Sequence, residues 1–133
     1  MPTTKTINQT EFIAGVQPPT IYDALLDGKK HGQLIGSKAT GKAEVGTDFT
    51  AWDGYIEGTN LELEPGKRIL QSWETSEWPE GAERSLVEWT FEAKDGGTQV
   101  TLVHSKVPAS QADSYKKGWV DFYWTPMKTY FAK

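Results

Sequence analysis

The side chains able to do chemistry are few, and their spacing works against it. The 133 residues include two histidines, His31 and His104, and no cysteine. The histidines lie far apart in sequence, and neither has a second histidine or a cysteine at the spacing that holds a tetrahedral metal ion. Thiol nucleophiles and disulfides are excluded by composition. No Gly-x-Ser-x-Gly turn presents a serine nucleophile. Ser105 follows His104, but neighbours along a strand point to opposite faces, so adjacency opposes a dyad. The carboxylate pairs Glu62/Glu64 and Glu88/Glu92 fall on faces that look outward, so they read as solvated rather than as a general acid and base. Gly96-Gly97 is a hairpin with no following helix N-terminus to hold a phosphate. His31 reads as a solvated loop residue. His104 ends an apolar strand face and reads as a partly buried histidine satisfied by backbone, with a hydrogen-bonding role inside a cavity as the alternative. No catalytic residue, no metal and no cofactor are expected.

The elements that would have to position any site read mostly as short strands followed by one helix. Lys5 to Val16 reads as a first strand, with Phe12, Ala14 and Val16 on one face and Ile7 and Ile13 on the other. Pro18 and Pro19 suit the first turn of a helix over Thr20 to Asp27, ended by Gly28. Lys29 to Gly36 reads as a further helical turn. Ser37 to Ala43 reads as a polar edge strand, and Thr47 to Trp52 as its return. Asp53-Gly54 is a hairpin signal. Tyr55 to Leu63 carries Gly58, a mark of a bulge or of close backbone approach. Arg68 to Thr75, Ser85 to Ala93 and Gln99 to Val107 alternate as strands, separated by the Glu64-Pro65-Gly66-Lys67 turn, the Glu77-to-Gly81 loop and the Asp95-Gly96-Gly97 turn.

The last stretch, Ser110 to Lys133, reads as one amphipathic helix. Ser110 is its expected N-cap, with Asp113 in capping-box spacing. Tyr115, Trp119, Phe122, Tyr123, Pro126 and Tyr130 form one stripe, and Val120, Trp124, Met127 and Phe131 a second. At about 100° per residue they merge into an apolar arc of roughly 200°. Such a helix must be wrapped, and a curved antiparallel sheet is what the preceding residues can supply. Pro126 removes one backbone hydrogen bond and is expected to kink the axis. The expected architecture is α+β: a curved antiparallel sheet of about six to seven strands around a long C-terminal helix, in a single domain over 1–133.

Composition narrows the partners. The chain is mildly acidic, with 18 Asp+Glu against 14 Lys+Arg, which argues against nucleic acid and against an anionic membrane surface. Met1 to Thr10 is polar and lacks an apolar signal core. No apolar run reaches membrane-spanning length. A soluble, cytoplasmic protein is expected. Six tryptophans must dominate a core or line a cavity.

Several residue groups carry a resemblance to a known family. They are Asp53-Gly54 with Gly58, Pro65, Lys67-Arg68-Ile69, Trp73, Trp78-Pro79-Glu80-Gly81, Phe91, Asp95-Gly96 and Val107-Pro108. The last group is Gly118-Trp119 with Tyr123, Lys128 and Phe131. Ile21-Tyr22-Asp23-Ala24-Leu25 and His104-Ser105 add matches that recur more widely. With these the chain resembles the START-like (SRPBCC, helix-grip) superfamily. Within it, the chain resembles the C-terminal domain of the activator of the heat-shock protein 90 ATPase. The resemblance implies the helix-grip fold and a non-enzymatic, co-chaperone-like module, at most an ATPase activator acting on a heat-shock protein 90 type chaperone. The eukaryotic co-chaperone carries a separate N-terminal domain that makes its main chaperone contact, and this chain has no room for one.

Two kinds of site follow. A sheet closed over a helix leaves an interior that a small hydrophobic molecule could fill, and the inward candidates are Trp52, Tyr55, Trp73, Trp89, Phe91, His104, Trp119 and Tyr123. The same rings could instead fill the space themselves. Trp78, in a loop without a strand face to bury it, is with Glu80 a candidate partner contact. It could also fold back as a lid on the core.

Overall fold

The alternation of apolar residues is what builds the sheet. In Ser85–Lys94, the residues Ser85, Val87, Trp89 and Phe91 are buried while the residues between them face outward. Arg68–Thr75 does the same with Ile69, Gln71, Trp73 and Thr75. Each strand therefore has one face that leaves water only when its neighbours align in register.

The computed structural model describes residues 3–132. Six strands form one antiparallel sheet in the order β1-β6-β5-β4-β3-β2. They are β1 (Thr4–Ala14), β2 (Asp48–Ala51), β3 (Ile56–Glu64), β4 (Arg68–Thr75), β5 (Ser85–Lys94) and β6 (Gly97–Pro108). Two helices, α1 (Pro18–Leu26) and α2 (Gly28–Ile35), connect the two edges. The C-terminal helix runs as α3 (Ala112–Trp119), a π turn (Val120–Trp124) and α4 (Thr125–Phe131). Register shifts at Lys5/Ile7 and at Asn60/Glu62 bend the sheet, as extra residues in one strand do. The curved inner face grips the C-terminal helix around a core that includes Ile7, Ile69, Val87, Leu102, Trp124 and Met127. The outer face is charged. Arg68 bridges Glu62 at 2.7 Å and Glu88 at 2.6 Å, joining β3, β4 and β5.

Of the two faces of β1, the one with Ile7 and Ile13 is the inner one, and Phe12 stays exposed. Several expectations need correction. Gly28 does not end α1. The cap there is Asp27, whose side chain accepts a hydrogen bond from the Lys30 N–H at 3.0 Å and starts α2. Gly28 is demanded by contact, since a Cβ on it would lie 2.7 Å from Thr40 Cα. Ser37 to Ala43 is no strand. Only Thr40 bridges to Thr50, because this stretch has no alternating apolar face to hold it in the sheet. Ser110 is not the N-cap of the last helix. That position is Gln111, which makes no capping bond because its amide is engaged elsewhere. The expected helix end at Lys133, and Met1 and Pro2 of the polar N-terminal stretch, lie outside the described residues.

Pro126 disturbs the helix in a specific way. Its missing N–H and bulky ring are accommodated by the π turn just upstream, in which the Thr125 N–H reaches back to the Val120 carbonyl. The wider turn shifts the helical phase. Tyr123 and Trp124, adjacent in sequence, are both buried, while Val120 and Phe122 of the expected apolar arc are exposed.

Candidate functional site

A cleft of about 600 Å³ opens between the C-terminal helix and the β2–β3 end of the sheet. The β2–β3 turn and the start of β3 supply Trp52, Tyr55 and Ile56. β4 and the loop after it supply Trp73 and Glu77. The helix supplies Gln111, Ser114 and Gly118 along its outer stripe, and Tyr115, Trp119, Phe122 and Tyr123 beside it.

Local sequence explains how these residues are presented. The turn after β2 carries three consecutive left-handed residues: Trp52 (φ 52°), Asp53 (φ 56°) and Gly54 (φ 88°). Glycine and aspartate tolerate that region, but a bulky tryptophan in it is strained. The strain leaves the Trp52 ring against Phe122, with centroids 5.1 Å apart. The Trp52 indole N–H is buried without a hydrogen-bond partner. It comes near the Tyr123 hydroxyl, enough to oppose the upward shift of that phenol, but without hydrogen-bonding geometry. Strain and an orphan donor therefore meet on one cleft residue.

The rim is a directed chain of hydrogen bonds. The Glu77 N–H donates to Thr75 Oγ1 at 3.2 Å, and that hydroxyl pairs with the Tyr115 hydroxyl at 2.7 Å. Tyr115 donates to Gln111 Oε1 at 2.7 Å, and Gln111 Nε2 donates to the Glu77 carbonyl at 2.8 Å. The Tyr55 hydroxyl donates to Glu77 Oε1. Burial, then the Glu77 hydrogen bond, pushes the Tyr55 phenol up to about 12, so it stays a donor.

The remaining aromatic candidates sit behind the cleft. Trp89 packs edge-on against Trp119 at 5.5 Å and Trp124 at 5.7 Å, and Phe91 lies against Tyr22 of α1. His104 is fully buried behind Trp73 and Trp119. It is satisfied by side chains, not by backbone. Trp119 Nε1 donates to His104 Nδ1 at 3.1 Å, which leaves the proton on Nε2 facing Ser85 Oγ at 2.7 Å. Ser85 in turn donates to the Trp73 carbonyl at 2.7 Å. This Ser–His pair therefore runs the wrong way for catalysis. The imidazole donates to the hydroxyl and cannot take its proton.

His31 is not a solvated loop residue. It is buried in α2, with Nε2 2.9 Å from the Tyr123 hydroxyl. The polar run around it, Gly28 to Gln33, hides an inward position on a helix whose other buried residues include Leu34 and Ile35. Burial lowers His31 to about 4 and His104 to about 3. Both groups are neutral in the fold and take up protons near the ordinary 6.5 when unfolded. The unfolded chain therefore binds more protons between those values, and stability falls as pH drops below about 6.5. Each histidine is expected to contribute up to about 1.4 kcal/mol per pH unit in that window. Urea unfolding at several pH values checks this, and His31→Gln should lose its share of the acid slope.

Trp78 does not stand free. Its ring stacks on Tyr115 at 5.9 Å and meets Trp73 edge-on at 6.0 Å, and its Nε1 donates to the Glu83 carbonyl at 2.9 Å. It folds back on the core, while Glu80 beside it is exposed. Trp78→Ala is expected to lower stability by about 1–2 kcal/mol, a half-buried aromatic's share. Chemical denaturation of the variant measures it. The cleft residues missed in the sequence are Gln111, Ser114, Tyr115, Gly118 and Phe122, together with Ile56 and Glu77. Their spacing at 111, 114–115, 118 and 122 was the available signal, a helical stripe partly hidden by polar and small residue types.

Among the described residues no helix is long and apolar enough to cross a membrane, and no group of three or more potential ligands could hold a metal ion. The model of the family described as "Activator of Hsp90 ATPase homolog 1-like protein" matches residues 16–132. The chain belongs to that family. A Dictyostelium discoideum activator of 90 kDa heat shock protein ATPase homologue is 33% identical over 120 residues, covering 89% of this chain and 30% of that protein. The human homologue 1 is 27% identical over 131 residues, covering 98% of this chain and 38% of its own length. The chain thus spans about a third of the curated relatives it matches. In fold it is similar to the crystal structure of an Hsp90 activator from Plasmodium falciparum, with a TM-score of 0.83 at 23% identity over 97% of this chain and 96% of that one. It is also similar to the solution structure of the Aha1 dimer from Colwellia psychrerythraea, with a TM-score of 0.76 at 19% identity over 91% and 92% of the two chains.

Proposed function

We propose that the chain is a non-enzymatic, cytoplasmic co-chaperone-like module that acts on a heat-shock protein 90 type chaperone and raises its ATP turnover. The observation that carries this reading is the family match over 16–132, which takes in nearly every element of the helix-grip fold. The direction of the Ser85–His104 hydrogen bond supports a partner's chemistry over the chain's own. A protein of this kind accelerates ATP hydrolysis by binding the closed chaperone more tightly than the open one, since a partner shifts an equilibrium only by that difference. The test measures ATP turnover of the host's own chaperone with and without this protein, alongside calorimetric binding. Faster turnover and measurable heat are expected. An unchanged rate without binding would remove the proposal.

A second reading is the binding of a small hydrophobic molecule in the cleft. It is favoured by Trp52, whose strained backbone holds its ring against Phe122 on the wall of a largely apolar space. Native mass spectrometry of protein from its own host is expected to show an added mass that is lost on denaturation. Bare protein mass throughout would count against this reading.

A further inference from the structure

We propose that the cleft takes a small organic ammonium cation with alkyl groups on nitrogen, as in choline. This deepens the second reading above and rests on it. Seven of the twelve lining residues are aromatic. Trp52, Trp73 and Phe122 come from the turn, the sheet and the helix, so rings meet the space from three sides. Among the described residues, the only charged side chain in the lining is the Glu77 carboxylate, and no Lys, Arg or His joins it. The Tyr55 hydroxyl engages one oxygen of that carboxylate and anchors it at the rim.

These features select the sign of the ligand's charge. Ring faces carry the negative side of their quadrupole and attract a cation placed over them. A carboxylate or phosphate ligand would meet those faces and Glu77 without any basic group to offset them. A purely apolar ligand would cover the rim and desolvate Glu77 with nothing in return. An alkylated ammonium suits both surfaces. Its methyl groups pack on the rings, and its spread charge is weakly hydrated and faces the carboxylate. The net formal charge of −4 favours its approach.

Choline and its uncharged isostere 3,3-dimethylbutan-1-ol, titrated separately into the full chain and followed by indole N–H signals in NMR, test the charge alone. Choline is expected to bind about tenfold more tightly than the isostere, as a desolvated cation–π contact with a carboxylate allows. Glu77→Gln, which keeps a hydrogen-bonding partner for Tyr55, should remove most of that preference and leave the isostere within about twofold of its original affinity. Phe122→Ala, at an exposed position that the core does not need, should weaken choline by about fivefold. Equal or tighter binding of the isostere overturns the cation proposal and leaves the cleft as a site for neutral molecules. A preference unchanged in Glu77→Gln also overturns it. Binding of neither compound removes the proposal and the ligand-binding reading together.

Discussion

Trp119→Ala is expected to destabilise the protein by about 3–5 kcal/mol, at the upper end for a buried large-to-small change. Trp119 lies where the sheet, the helix and the cleft meet. Its ring touches Trp73 at 5.5 Å, Trp89 at 5.5 Å, His104 at 5.6 Å and Tyr123 at 5.0 Å, so its loss leaves a void bordered by rings that cannot easily collapse. The same change removes the only donor to His104 Nδ1 and leaves a fully buried acceptor without a partner. Trp119→Phe separates the two effects. It keeps most of the packing and should lose only about 1–3 kcal/mol, the cost of the orphaned acceptor with a small volume change. Urea unfolding of both variants measures the difference. A small loss in Trp119→Ala would mean that the cluster re-forms around the gap.

The second large effect comes from adding a single methyl group. Gly58 lies in the middle of β3, and a Cβ there would fall 1.9 Å from the Ser72 carbonyl oxygen and 2.7 Å from the Phe49 ring. The obstruction is backbone on one side and a buried ring on the other, so no flexible side-chain tip can move away. Gly58→Ala is expected to cost about 3 kcal/mol or more, at or beyond the usual range for overpacking. The damage should centre on the β2–β3–β4 pairing. Hydrogen exchange should show faster opening of Phe49, Thr59 and Trp73 amides than of β5 and β6. Wild-type-like stability would show that β3 can slide outward without losing its ladder.

Much of this was legible in residue order, and the particular residues show why. Val87, Trp89 and Phe91 alternate with polar residues because a one-sided sheet leaves that imprint on any strand that forms it. Gly58 inside a strand pattern announced close approach, and the structure gives its cause in Ser72 and Phe49; the bulge itself falls at Leu61. The terminal helix declared itself through its aromatic stripes. The less legible features depend on contacts remote in sequence. His31 looks solvated until Tyr123, ninety-two positions away, is placed against it. Ser110 and Asp113 satisfy a local capping rule, yet the helix starts at Ala112 because Gln111 is tied to Glu77 and Tyr115. The π turn moves Phe122 from core to cleft wall, and a fixed period of about 100° per residue cannot anticipate that shift. Trp78 left a partner contact and a lid both open in its loop, because the ring that stacks on it, Tyr115, lies thirty-seven positions away.

The strand order sets a timetable for the growing polypeptide. β1 is an edge strand whose hydrogen-bonded neighbour is β6, with Ile7 opposite His104 and Ile13 opposite Thr98. Its other anchors, Lys116, Trp124 and Lys128, lie in the last helix. β1 leaves the ribosome before the other five strands yet is among the last to be secured, after about a hundred further residues and roughly 5–20 s of synthesis. Through that interval Ile7 and Ile13 stay uncovered, while the hairpins from β2 to β5 can already pair. Loop closure over so long a separation also slows refolding of the whole chain relative to a helical protein of equal size. On this order of events the chain itself depends on protection at β1 while it is being made.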